Sequence, residues 1–246
     1  MKIVSYGGGT NSTAMLIGLR DIAKKPDAII FADTGGEKPQ TYQHIEAMQS
    51  WCRRSGFPEI TIVRKGGNGE TLEQELLRKN TLPPVAFGFK TCSTNYKIQP
   101  FEKWCNQNEK CKNAWKTGQK VERLIGIDAD ESHRAKPSPN KKFLNVYPLI
   151  DWDWAREECV EKIKAEGLKL PGKSACFFCP NSKPQEILEL PEELKSRAIE
   201  IENNASVVTS VKGLGRDWSW SHLIRTNDLQ SCFPFAQDQP CGCYDG

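Results

Sequence analysis

The chain has 246 residues, 38% hydrophobic and 26% charged, with a net charge of +3; this composition suits a globular protein of one large domain, or one domain with an appendage. No apolar run approaches the roughly 20 residues of a membrane helix. The opening Lys2-Ile3-Val4 lacks the regions of a signal peptide, so a cytoplasmic location is expected, and a charge this small gives no argument for nucleic acid.

The first 65 residues alternate. Strand 2–5, helix 12–23, strand 28–32, helix 39–54 and strand 60–63 predict a parallel α/β sheet with right-handed crossovers. Helical pattern at 70–79, a Leu82-Pro83-Pro84 turn and a helix over 91–107 follow. Residues 108–120 are polar and lysine-rich, with Cys105 and Cys111 bracketing Asn106 to Lys110. Metal or nucleic-acid contact is conceivable there, and a solvated hairpin or helix edge is the simpler expectation. A strand over 121–127, a loop over 128–141, a strand over 143–149, a helix over 154–166, a cysteine-bearing loop over 171–182 and a helix from 183 to about 203 complete the reading. No internal repeat or low-complexity linker interrupts it. The expected organisation is a nucleotide-binding core, 1–170, and a smaller cysteine-rich part, 171–246.

The most informative stretch is the first strand and turn, Ser5-Tyr6-Gly7-Gly8-Gly9-Thr10-Asn11-Ser12. Three glycines between a strand and a helix let backbone N–H groups and a helix N-terminus converge on a phosphate. It is neither G-x-x-x-x-G-K-S/T, whose lysine is absent, nor G-x-G-x-x-G, because Ser12 stands at the third glycine. A plain strand-to-helix turn has the same local chemistry, and the decision lies downstream.

Five motifs in order make that decision. The Ser5–Ser12 loop resembles the S-x-S-G-G-x-D-S loop of adenine nucleotide alpha hydrolases, the PP-loop superfamily, and specifically of the PAPS reductase-like (phosphoadenosine phosphosulfate reductase) family. Phe31-Ala32-Asp33-Thr34-Gly35 through Pro39 and Thr41-Tyr42 is similar to that family's F-x-D-T-G-x-x-x-P-x-T-Y. Gly126 to Arg134 is similar to G-x-R-x-x-E-S-x-x-R, Tyr147 to Trp152 to the P-L-x-D-W element, and Lys173 to Pro180 to the cysteine loop. Four positions depart from the pattern: Gly7 replaces the second serine, Asn11 the aspartate, and Asp128 a frequent arginine, while Arg134 falls one place early.

The resemblance implies a Rossmann-like sheet that binds ATP or PAPS through Ser5, Gly7, Gly8, Gly9, Thr10, Asn11 and Ser12. It implies ribose or loop contacts from Asp33 and Thr34, and anion and ribose contacts from Glu131, Ser132 and Arg134. Two reactions follow from it. One is sulfonucleotide reduction with a thioredoxin-like reductant; the other is ATP-dependent sulfur transfer to an acceptor such as a nucleic acid, assisted by magnesium.

Ten cysteines in a chain read as cytosolic are poorly explained by disulfides, so some are expected to hold metal or do redox chemistry. Cys52 and Cys159 fall on amphipathic helices and read as buried, inert thiols. Cys176 and Cys179 have metal-ligand spacing, and Cys92 resembles the family cysteine that joins such a pair around a 4Fe-4S cluster. Cys241 or Cys243 could complete that cluster. Cys176, Cys179, Cys241 and Cys243 could instead bind zinc, or Cys241 could be a nucleophile resembling the E-C-G cysteine of sulfonucleotide reductases. A nucleotide-binding protein with structural zinc is the non-catalytic alternative, and a homo-oligomer is left open.

Overall fold

The computed structural model describes residues 1–66, 69–205 and 211–232. They fall into two compact units, Met1–Glu75 with Lys90–Cys176, and Leu76–Phe89 with the chain from Phe177. The first unit is built on five strands: β1 (Lys2–Tyr6), β2 (Ala28–Asp33), β3 (Ile60–Arg64), β4 (Val121–Ile125) and β5 (Phe143–Val146), all parallel, in the order β3-β2-β1-β4-β5. The α/β parallel sheet is as expected from the alternating pattern.

Strand alternation divides the core. Val4, Tyr6, Ile29 and Phe31 enter one apolar cluster with α1 (Thr10–Asp21) and α2 (Pro39–Arg54), while Ile3, Ala28 and Ile30 enter a second. Central strands buried on both faces therefore read as unbroken apolar runs. At the two edges the protection lapses, and Ile62 of β3 and Leu144 of β5 are about half exposed.

Helix α3 (Leu72–Lys79) begins in the first unit and ends in the second. From Thr91 a helical run passes through α4 (Thr91–Ser93), a wide π turn (Thr94–Ile98) and α5 (Gln99–Gln107). Pro100 gives this widening a cause: it has no N–H for the carbonyl of Tyr96, and its ring crowds the preceding turn. After it comes α6 (Glu109–Lys116), the helix edge rather than the hairpin of the two expected alternatives. The Asn108 side chain accepts from the N–H groups of Lys110 and Cys111, and Cys105 and Cys111 are buried in the second cluster. Lys110 and Lys116 lie on the exposed side of this capped helix, and Cys111 and Ala114 on its buried side.

The expected strand 143–149 stops at Val146 and gives way to α7 (Pro148–Asp151), with proline at a helix start, where its missing N–H costs nothing. β4 likewise ends at Ile125, and part of the expected loop 128–141 is a 3-10 turn, Ala129–Arg134, capped by Asp128. Helix α8 (Arg156–Ala165) packs on α1. Gly18 makes room at α1 for the Trp152–Trp154 pair, because a Cβ there would lie 2.4 Å from the Trp152 ring.

The second unit contains α9 (Pro184–Leu188), α10 (Glu192–Ala205) and α11 (Trp220–Cys232). Its centre is Glu202, 2% exposed, which accepts from the backbone N–H groups of Leu214, Trp220 and Ser221 and from the Ser221 hydroxyl. A buried carboxylate with four donors is satisfied, and here it caps the start of α11. Among the described residues, no helix is long and apolar enough to cross a membrane.

Candidate active site

β1 is the middle strand, with β2 on one side and β4 on the other. The connection from β1 goes to β2 and later elements return to β4, so the carboxyl end of β1 is the topological switch point where open α/β sheets bind ligands. Gly7-Gly8-Gly9 lies there. Gly8 has φ +71°, which favours glycine. Gly9 is the N-cap of α1 and offers no side-chain cap, so the first N–H groups of the helix have no side-chain acceptor at the capping residue.

Two neighbours shape this loop. A Cβ at Gly126, just past β4, would meet the Ser12 nitrogen at 2.8 Å and the Asn11 carbonyl carbon at 2.9 Å, so only glycine lets β4 end against the first turn of α1. Ser174 donates to the Gly7 carbonyl and sits over Gly9. Ser12 donates to the Gly9 carbonyl at 3.1 Å, which tightens the turn.

The end of β2 is a closed corner. Asp33, 2% exposed, accepts from Gly35 N–H and Tyr42 Oη on one oxygen, both at 2.8 Å, and from Arg64 Nε at 2.9 Å and Nη2 at 2.7 Å on the other. All four acceptor sites of the carboxylate are used. Burial and the Asp33 charge together push the Tyr42 hydroxyl well above its ordinary range, so it stays a donor. Asp33 thus fastens the turn after β2, and its carboxylate has no acceptor site over for a ribose hydroxyl.

Thr34 faces the cysteine segment. Its hydroxyl lies 3.2 Å from Cys176 Sγ, accepts from Gly36 N–H at 3.2 Å, and donates to Glu37 Oε1 at 3.4 Å. Glu37 pairs with Cys176 through an antiparallel backbone bridge, and Lys97 Nζ lies 3.4 Å from Glu37 Oε1. Glu37 Oε2 is buried with no hydrogen-bond partner among the described residues. Three separated segments, 7–12, 33–37 and 174–176, therefore meet within the first unit.

On the β4 side, Asn11 Nδ2 donates to Asp128 Oδ2 at 2.8 Å, and Arg156 Nη1 donates to Asn11 Oδ1 at 2.8 Å. The departures at 11 and 128 are a matched pair: an amide at 11 can donate to the carboxylate at 128, which an aspartate could not. Asp128 also accepts from Glu131 N–H. Glu131 is paired with Arg134, and His133, as expected, is exposed.

The described thiols separate by exposure. Cys52, Cys105, Cys111 and Cys159 are buried, and burial raises their pKa values, Cys52 to about 11 and Cys159 to about 12. Cys92, Cys176 and Cys179 are the partly exposed ones, and a partly exposed thiol is open to reaction in a way that a buried one is not. Cys176 belongs to the first unit and Cys179 to the second. Among the described residues no group of three His, Cys, Asp or Glu is gathered to hold a metal; Cys241 and Cys243 lie outside them.

Sequence reasoning assigned no role to Glu37, Tyr42, Arg64, Arg156 or Ser174. For Arg156 a signal existed, since a cation at a helix start opposes the helix dipole. Ser174 and Glu37 stood inside quoted motifs, and only tertiary contact reveals what they touch.

Residues 2–171 match the family model described as phosphoadenosine phosphosulfate reductase domain. The chain belongs to this family. It is 26% identical over 212 residues to an uncharacterized nin region protein of Escherichia phage lambda, an alignment covering 76% of this chain and 68% of the phage protein. It is 25% identical over 239 residues to an uncharacterized protein of Methanocaldococcus jannaschii, covering 91% of this chain and 45% of that one, so it spans less than half of the archaeal relative. A solved structure of the U34-tRNA thiolase NcsA from Methanococcus maripaludis with its 4Fe-4S cluster is similar at a TM-score of 0.45 and 17% identity, over 98% of this chain and 74% of the thiolase.

Proposed function

We propose that the chain binds an adenine nucleotide at the Gly7–Ser12 loop and couples it to cysteine-based sulfur chemistry at Cys176, with ATP-dependent sulfur transfer as the favoured reaction. The observation that carries this reading is the meeting of the loop with Ser174 and of Thr34 with Cys176. A phosphate-binding turn and a partly exposed thiol segment two residues beyond Ser174 share one corner of the sheet.

Charge favours ATP over PAPS. A sulfonucleotide with a 3′-phosphate brings anionic groups at both ends of the ribose. This chain carries Asp128 where the family often has arginine, and Arg134 is paired with Glu131. In the favoured route, an oxygen of the acceptor attacks the α-phosphate and the α–β phosphoanhydride breaks to release pyrophosphate. Sulfur from an external donor then displaces AMP. The uncapped amides of α1 stabilise charge on the phosphates, and magnesium offsets the rest. A nucleic acid is the acceptor class the family resemblance suggests.

Cys92, Cys176, Cys179 and Cys243 are the proposed cluster ligands, with zinc on Cys176, Cys179, Cys241 and Cys243 as the competing assignment. A 4Fe-4S cluster, when bound, supplies redox-active iron held by thiolate.

Product analysis tests the reading. Conversion of ATP to AMP and pyrophosphate, dependent on a nucleic acid and a sulfur donor, supports transfer. Sulfite from PAPS, lost in Cys241→Ser, replaces it with reduction through the Cys241 thiolate. Nucleotide binding with neither product, in a colourless zinc protein, replaces it with a non-catalytic role.

A further inference from the structure

We infer that Arg156 is the cation that contacts the phosphates of the loop-bound nucleotide, and that the Asp128–Asn11 pair positions it. The inference rests on the nucleotide reading above and deepens it by naming a group the motifs do not contain.

Arg156 is the first residue of α8, and its Nη1 reaches Asn11 Oδ1, on the second residue of α1. The guanidinium is therefore held beside the helix start that, with Gly7-Gly8-Gly9, forms the anion site. Its side chain spends only Nη1 on Asn11, and a guanidinium has five N–H donors in a fixed fork suited to phosphate oxygens. The backbone of the same residue is fixed as well, because Arg156 N–H donates to Asp130 Oδ2 at 3.0 Å.

The position is unfavourable for structure alone. A cation at a helix N-terminus opposes the dipole by about 0.3–1 kcal/mol, and the first turn of α8 already holds the complementary Glu157 and Glu158. Asn11 is itself oriented by Asp128, which is 3% exposed and accepts from its amide. That bond turns Asn11 Oδ1 toward Arg156. The three groups form one chain: carboxylate at 128, neutral relay at 11, cation at 156.

Calorimetric titration with ATP, inorganic tripolyphosphate and adenosine tests the assignment. Arg156→Ala should weaken ATP and tripolyphosphate by about tenfold, the scale of a lost charge-assisted contact, and leave adenosine unchanged; Arg156→Lys should recover part of the loss. Asn11→Asp should weaken both anions by setting two carboxylates face to face, and Asn11→Asp with Asp128→Asn should restore them by rebuilding the bond with its polarity reversed. Arg156→Ala binding tripolyphosphate within twofold of the natural protein overturns the assignment alone. A natural protein that binds neither ATP nor tripolyphosphate overturns the nucleotide reading beneath it. A double variant as weak as Asn11→Asp removes the positioning role.

Discussion

The ends of β1 and β2 lie side by side in the sheet and do opposite things with their polar groups. At β2, every acceptor of Asp33 is taken by Gly35, Tyr42 or Arg64. At β1, the donors of Gly9 and the first turn of α1 have no cap. A saturated group gives rigidity, and an unsaturated one at a switch point gives binding. The family motifs around the two strand ends look equally functional on paper, yet one end is a fastening and the other is where the proposed nucleotide site lies.

Removing the fastening should have the largest effect. Asp33→Ala orphans the Gly35 N–H and the Tyr42 hydroxyl, while the half-exposed Arg64 returns to water, so chemical denaturation should show a loss of about 3 kcal/mol. Substitution at the site should act on binding as well as on stability. Gly126→Ala forces a Cβ against Ser12 backbone; it should cost about 1–3 kcal/mol and abolish ATP binding in calorimetry, whereas nucleotide binding intact at full stability would contradict the close packing.

A third test uses acid. His44, 7% exposed, shares a 2.9 Å hydrogen bond with Thr13 beneath the loop, and burial lowers its pKa from 6.5 to about 4. The unfolded chain binds the proton first, so this contribution is complete above pH 6.5 and shrinks as pH falls toward 4. Between pH 7 and 5 it should remove about 2 kcal/mol, and His44→Gln should flatten that slope. The thiols give a kinetic contrast: Cys92, Cys176 and Cys179 should react with a thiol reagent under native conditions, and Cys52, Cys105, Cys111 and Cys159 only after unfolding, as read by mass spectrometry. Smallest of all, Arg134→Ala loses a surface pair and should change stability by less than about 0.5 kcal/mol.

The parallel sheet was legible because its central strands are apolar on both faces, and the loop because glycine and hydroxyl residues have few other reasons to follow such a strand. The role of Asn11 was not. Its meaning depends on Asp128, 117 residues away, and on Arg156, 145 away, and no local pattern carries a hydrogen bond of that span. Residues 108–120 were legible only as a solvated hairpin or helix edge, because lysines on the exposed face outweighed Cys111 and Ala114 on the buried one. Pro148 was read as part of a strand although its chemistry suits a helix start.

The grouping of Leu76–Phe89 with the chain beyond Phe177 bears on how the protein can be shortened. A chain cut at residue 171, where the family match stops, would keep all five strands and strand the second half of α3 without the segment it clusters with. Such a fragment should expose Leu76 and Leu82, both buried in the intact protein, and precipitate. A shortening that respects the grouping removes 76–89, half of α3 included, together with the chain beyond Cys176, a deletion that the sequence motifs alone would never have suggested.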